Sequence, residues 1–266
     1  MNVTEFMRRL RRGGPGPLLR SALDRVAPAR PHLRAAALAA AKDRTGLELG
    51  GPSRVFGARG MLPVYAVASR IDNVNFTADT RWETALRDGG EFRFHPRRPP
   101  GTQWLREAVA LSGLANAAYD FVASSHCLEH VANPLRALLE WRRVTRAGGH
   151  LLLVLPDPAR TFDHRRPVTT LAHLRDDLAR DTGEDDTTHA AEAIAWHDLA
   201  RDPGVASAEE FQARVRANAT NRCLHHHVFD LALMRAALAE TGWRPLALEA
   251  ARPLHLVAFA VKEDRA

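Results

Sequence analysis

No stretch of this chain narrows the choice of fold more than Leu151-Leu-Leu-Val-Leu155. A strand with one wet face alternates apolar and polar residues. An unbroken apolar run belongs to a strand covered on both faces, as in a parallel sheet flanked by helices. The preceding segment agrees: Pro134 to Arg146 sets Leu135, Leu138, Leu139 and Val144 at helical spacing, and Gly148-Gly149 is the stop. Upstream, Ala35 to Ala41 reads as a helix and Leu47 to Leu49 as the first strand. Pro63 to Ala68 running to Arg70-Ile-Asp-Asn73, Gln103 to Leu111 and Tyr119 to Ala123 supply the second to fourth strands, and His150 to Leu155 the fifth. Phe229 to Glu240 is a helix closed by Gly242; Arg244 to Ala250 and His255 to Lys262 form an antiparallel final pair split by Arg252-Pro253.

Strands interleaved with helices predict the α/β class. The expected fold is a Rossmann-like, doubly wound, mostly parallel seven-stranded sheet with an antiparallel last strand and a mainly helical lid insertion. Residues 1–34, basic and broken by Gly and Pro, read as an N-terminal arm. Residues 35–156 and 228–266 form the sheet domain. Residues 157–227, rich in His, Asp, Glu and Arg, read as the lid.

Hydrophobic content of 45% over 266 residues suffices for a proper core. The net charge of +6 comes from arginine, with lysine only at Lys42 and Lys262. Such a balance admits polyanionic partners, yet no appended RNA-binding module is visible, so no specific nucleic acid is expected. Cys127 and Cys223 show neither metal spacing nor a disulfide framework, which points to a reducing cytoplasm. No apolar run approaches the roughly 20 residues that span a bilayer. Gly13-Gly-Pro-Gly-Pro17 stands where a signal peptide would carry its apolar region. The expected location is cytoplasmic.

Leu47-Glu-Leu-Gly-Gly-Pro-Ser53 ends the first strand in a glycine turn with one carboxylate beside it. Glycine lets a ligand approach the backbone, and the carboxyl end of the first strand is the nucleotide crevice of an open α/β sheet. Three further segments extend this pattern: Tyr119-Asp-Phe-Val122, Ser124-Ser-His-Cys-Leu-Glu-His130, and Trp141-Arg-Arg-Val-x-Arg-x-Gly-Gly149 before the leucine-rich strand. Together they resemble a class I S-adenosylmethionine-dependent methyltransferase, type 11-like. The insertion, with Asp163-His-Arg-Arg-Pro167 and His225-His-His227, resembles a bacterial branch with sugar or polysaccharide O-methyltransferases.

The resemblance implies S-adenosylmethionine as cofactor. Gly50 and Gly51 would face its amino acid portion, Glu48 would support that turn, and Ser53 would add a hydroxyl. Asp72 would accept from the ribose hydroxyls, and Ser125 and His126 would flank the sulfonium. Two positions depart from the family pattern: Pro52 replaces a small residue and offers no N–H, and Ala110 stands where an acidic adenine reader is common, with Glu107 the nearest carboxylate.

An alcohol acceptor must lose its proton as the methyl group arrives. Histidine is a suitable base, and a divalent cation such as Mg would also acidify the hydroxyl. Histidines crowd the lid, so His164 or His126 is the expected base, with Asp163 beside it. Arg165, Arg166 and His226 are the expected substrate contacts, and His225, His227 and Asp163 a candidate metal trio. An extended backbone would put His225 and His227 on one face and His226 on the other. The expected acceptor is a small molecule or oligosaccharide, and a homodimer is compatible with the sequence. An RNA methyltransferase and a non-catalytic cofactor-binding or partner protein are the competing classes.

Overall fold

The structure, a computed structural model, describes residues 31–80, 82–202 and 204–263. Nearly all of the expected N-terminal arm lies outside the described residues. One sheet organises the rest, in the order β3-β4-β2-β1-β5-β6-β8-β7. Its strands are β1 (Thr45–Leu49), β2 (Arg70–Asn75), β3 (Glu91–Phe92), β4 (Gly101–Leu105), β5 (Tyr119–Ser125), β6 (Thr145–Pro156), β7 (Trp243–Ala251) and β8 (His255–Lys262). Pairs β2–β4, β1–β2, β1–β5 and β5–β6 are parallel. The antiparallel final pair is present, β8 lying between β6 and β7. The eighth strand is the two-residue β3, antiparallel on the β4 edge.

The leucine-rich strand is buried on both faces. Leu151, Leu153 and Leu155 pack with α2 (Pro134–Val144), α3 (Leu171–Arg180) and α7 (Leu231–Glu240). Leu152 and Val154 point the other way, toward α1 (Arg34–Ala41), Phe56, Leu62 and Tyr65. Helix α2 starts where Asn133 Oδ1 accepts from Arg136 N at 3.1 Å, with Pro134 just inside. Its buried stripe is Leu135, Leu138 and Trp141; Leu139, expected in that stripe, is 38% exposed. Burying such side chains stabilises by about 2–3 kcal/mol each.

Two strand boundaries differ from expectation in ways that move the site. Val64–Ala66 is a 3₁₀ turn rather than the start of a strand, because Tyr65 turns its hydroxyl under the glycine turn. Strand β2 continues to Asn75, two residues past the expected end at Asn73. The insertion is helical: α3, α4 (Ala190–Trp196), α5 (Ala208–Arg216) and α6 (Asn218–Asn221). Ala193, Phe211, Val215 and Leu224 give it a small core of its own. No helix among the described residues is long and apolar enough to cross a membrane.

Candidate active site

The carboxyl ends of β1, β2, β4 and β5 open onto one cavity of about 450 Å³. Strand order reverses between β1 and β5, the place where open α/β sheets bind their ligands. Gly50, Asn75 with Phe76, Arg106 to Ala108, and Ser125 to Cys127 line it from the strand ends. Glu184 and Arg222 reach it from the insertion.

The glycine turn is held from below. Glu48 is fully buried; its carboxylate accepts from Ser53 N at 3.0 Å and from the Tyr65 hydroxyl. Burial pushes its pKa up to about 8, with those two donors pulling the other way. Gly50 takes φ +77°, a conformation glycine adopts at no steric cost. Gly51 is required by packing: a Cβ there would sit 2.7 Å from Asn73 Oδ1 and closer still to the Glu48 carboxylate. The turn spends its own donors internally. Gly50 N bonds Val74 O at 2.8 Å, Gly51 N bonds Asn73 Oδ1 at 3.0 Å, and Pro52 has no N–H. Asn75 gives Nδ2 to Gly51 O at 3.0 Å, which leaves its amide oxygen as the acceptor at the cavity wall.

The turn after β5 is built differently. His126 is in the left-handed region at φ 53°, a conformation that costs a non-glycine residue energy and collects at functional sites. His126 N bonds Val154 O at 2.9 Å, tying the turn to β6. On the ring, Nε2 is 2.9 Å from His255 Nδ1, and Nδ1 is 3.5 Å from Glu129 Oε1. Burial and the nearby His126 push His255 down to about 3, so it is neutral. Burial raises Glu129, but His126, His130 and His225 outweigh it and the carboxyl ends below its usual range. Neither Glu129 oxygen has a hydrogen-bond partner, though the residue is 1% exposed. His130 also lines the cavity, binds Leu224 O through Nδ1 at 3.0 Å, and is driven by burial down to about 4.

Arg222 latches the insertion onto the sheet. It bonds Glu107 Oε1 at 2.7 Å, lies 3.6 Å from Glu184 Oε2, and stacks over Phe76 at 5.3 Å. Glu184 accepts from Ala132 N at 3.1 Å. Burial raises its pKa to about 7 against the pull of Arg222.

Of the residues singled out from sequence, the cavity draws in Gly50, Ser53, Ser125 and His126. Glu48 and Gly51 lie beneath the turn, outside the lining. Asp72 is also outside. It sits three residues before the end of β2, where Arg70 Nε at 2.9 Å, Thr102 N at 2.8 Å and the Tyr119 hydroxyl at 2.9 Å saturate it. His164 is not in the lining; its Nε2 binds Asp198 Oδ2 at 2.8 Å. Arg165 is exposed beside Asp198, 3.6 Å away. Arg166 is a buried strut, bonding Asp163 at 3.1 Å, His225 O at 2.8 Å, His226 O at 3.2 Å and Glu192 at 2.8 Å. Asp163 also accepts from His225 Nδ1; Arg166 and His225 outweigh its burial and hold it near 2.

The metal trio is split by the structure. Asp163 and His225 pair with each other, but His227 packs against His173 and His189. His226 Nε2 meets Asn218 Nδ2 at 3.0 Å. Sequence reasoning did not assign Asn75, Phe76, His130 or Arg222 to the site. His130 carried a signal, as the end of the segment that begins at Ser124; Arg222 carried none.

Residues 82–153 match the family described as a methyltransferase domain. No curated protein matches the chain in sequence. A solved structure described as an S-adenosylmethionine-dependent methyltransferase from Listeria monocytogenes is similar, with 15% identity, 88% of this chain and 96% of that chain covered, and a TM-score of 0.51. A second such methyltransferase, from Mesorhizobium loti, shares 14% identity over 85% of this chain and 96% of that one, with a TM-score of 0.48. The 1,6-didemethyltoxoflavin-N1-methyltransferase of Burkholderia thailandensis shares 13% identity over 99% and 92%, with a TM-score of 0.47. The chain therefore carries a methyltransferase-domain sequence in residues 82–153, set in the fold of the S-adenosylmethionine-dependent methyltransferases.

Proposed function

We propose that this chain is an S-adenosylmethionine-dependent O-methyltransferase that acts on a hydroxyl of a small polar acceptor, a sugar or oligosaccharide. The observation that carries the reading is the cavity itself, where a strained His126 stands at the β5 end beside the glycine turn, with the buried Glu129 3.5 Å from its ring. Its volume lies in the range of small-molecule and cofactor sites, and Gly50 lets a ligand close on the backbone. Gly50, Ser53, Asn75 and Ser125 would hold the cofactor, with Asn75 taking the ribose-acceptor role first expected of Asp72. When bound, the cofactor supplies an electrophilic methyl group on sulfur.

The chain's part is alignment and proton removal. His255, held neutral, accepts at Nδ1 from His126 Nε2–H. His126 Nδ1 lies 3.5 Å from Glu129 Oε1, so the ring would take the acceptor's proton by exchanging one of these two contacts for the acceptor, and the Glu129 carboxylate would stabilise the cation formed. The rim supports a polar acceptor: Arg54, Arg106, Glu107, Glu184 and Arg222 offer charged donors and acceptors around an exposed Trp82. Label transfer from methyl-labelled cofactor to a panel of sugar, phenol and RNA acceptors tests this. Label on a sugar hydroxyl, abolished in His126→Ala, is the expected result; label on a nitrogen or on RNA contradicts it.

A further inference from the structure

Three histidines and one aspartate in the insertion converge on a single point away from the cavity lining. His173 and Asp177 stand four residues apart on α3, so one helix face presents both. His189 comes from the residue before α4, and His227 from the stretch leading to α7. His173 Nε2 is 3.0 Å from His189 Nε2 and 3.2 Å from Asp177 Oδ2. His227 spends Nε2 on Ala132 O at 3.2 Å, which leaves Nδ1, buried without a hydrogen-bond partner, as its free donor. One donor atom from each of the four lies within 4.8 Å of the others.

These spacings can be compared with a coordination polyhedron. Zinc bonds of about 2.0–2.1 Å in a tetrahedron set donor–donor edges of roughly 3.3–3.4 Å, and the His173–His189 and His173–Asp177 contacts lie just inside that value. The rings fan around the point rather than stack: His173 and His189 meet at 86°, His189 and His227 at 73°. Hydrogen bonding alone leaves the cluster unsatisfied. One proton on His173 Nε2 cannot serve both His189 and Asp177, and Asp177 Oδ2 has no hydrogen-bond partner although the residue is 3% exposed. The other aspartate oxygen accepts from Thr182 Oγ1 at 3.1 Å, which orients the carboxylate.

We propose that His173, Asp177, His189 and His227 bind one zinc ion that staples the insertion together. Three imidazoles and one carboxylate suit zinc rather than magnesium, which prefers six oxygens. Four protein ligands close the site, the mark of a structural rather than a catalytic zinc. The staple joins α3, the approach to α4 and the His225–His227 stretch. His227 in turn meets the segment after β5, its N–H 3.3 Å from Glu129 O and its ring 3.2 Å from Ala132 O. Two other groups, Glu129 with His130 and His225, and Asp186 with His189 and His226, offer only three donors each.

Elemental analysis of the full chain, purified without a polyhistidine tag, tests the site directly. The expected result is one zinc per chain, lost in His173→Gln and Asp177→Asn and kept in Glu129→Gln and Asp186→Asn. If those variants fold poorly, the native chain decides: a chelator should lower Tm by roughly 10 °C, reversed by zinc but not magnesium, and cobalt should give the intense absorption of a tetrahedral site. A chain that takes up no zinc, or that keeps it in His173→Gln and loses it in Glu129→Gln, overturns the proposal. S-adenosylhomocysteine binding, measured on the same samples, reports separately on the methyltransferase reading.

Discussion

Two regions around the cavity handle buried polarity in opposite ways. Beneath the glycine turn, Glu48, Asn73, Asn75 and Gln103 form a layer whose members bond each other, Tyr65 and the turn. Beyond β5 and in the insertion, both Glu129 oxygens, Asp177 Oδ2, Glu184 Oε2, His226 Nδ1 and His227 Nδ1 are buried without hydrogen-bond partners. A buried polar group left unpaired costs about 1–3 kcal/mol, so a chain keeps several together only where something else satisfies them. The first region is a finished scaffold that fixes the turn's shape. The second is a set of groups waiting for a proton, a metal or an acceptor.

That contrast predicts different failures on the two sides. The largest effect should come from His126→Ala, which removes the proposed base and should lower kcat by about 10²–10⁴. Cofactor-product affinity should stay within a few-fold of wild type, and an equal loss in both would show that His126 only shapes the pocket. Gly51→Ala should damage stability instead. Its Cβ drives into Asn73 and Glu48, and urea unfolding should show a loss of about 2–4 kcal/mol; a neutral result would mean that the layer is not rigid.

Arg222→Ala breaks the latch between the insertion and the strand ends. It should weaken S-adenosylhomocysteine binding by roughly tenfold, equivalent to about 1.4 kcal/mol, with little change in Tm. A pH-dependent effect is expected at Glu48→Gln. The folded pKa of Glu48, about 8, lies above its ordinary 4.5, so the folded chain holds the proton more tightly. Its contribution is present below pH 4.5 and is lost as pH rises toward 8, on the order of 1 kcal/mol per pH unit at most. Tm of the wild type should therefore fall across that window relative to the Gln variant. Parallel profiles would place a fixed charge at Glu48.

The scaffold region was largely legible in the sequence. The apolar run at Leu151–Leu155 and the glycine turn are local patterns, and local patterns survive folding; the helix before that run ends at Val144, ahead of the expected stop at Gly148-Gly149, which lies inside β6. The family resemblance sets Asp72 at the end of β2 beside the ribose, but the strand runs on to Asn75, and where a strand stops is decided by its neighbours in the sheet. The partner of Glu48 was hidden in the same way. Tyr65 lies in an apolar stretch that reads as a strand, and only tertiary packing bends it under the turn. In the lid, alternation along an extended chain puts His225 with His227, whereas His226 and His227 both meet His189 and His225 turns to Asp163. His225 went to Asp163, His226 to Asn218 and His227 to the His173 cluster, each on a different helix or loop.

The central claim is that the cavity at the ends of β1, β2, β4 and β5 is a methyl-donor site. Calorimetric titration with S-adenosylhomocysteine tests it most directly. One equivalent should bind with Kd in the ~1–100 μM range, and Asn75→Ala should weaken it about tenfold while Asp72→Asn leaves it nearly unchanged. No binding, or binding that Asp72→Asn abolishes and Asn75→Ala spares, would contradict it.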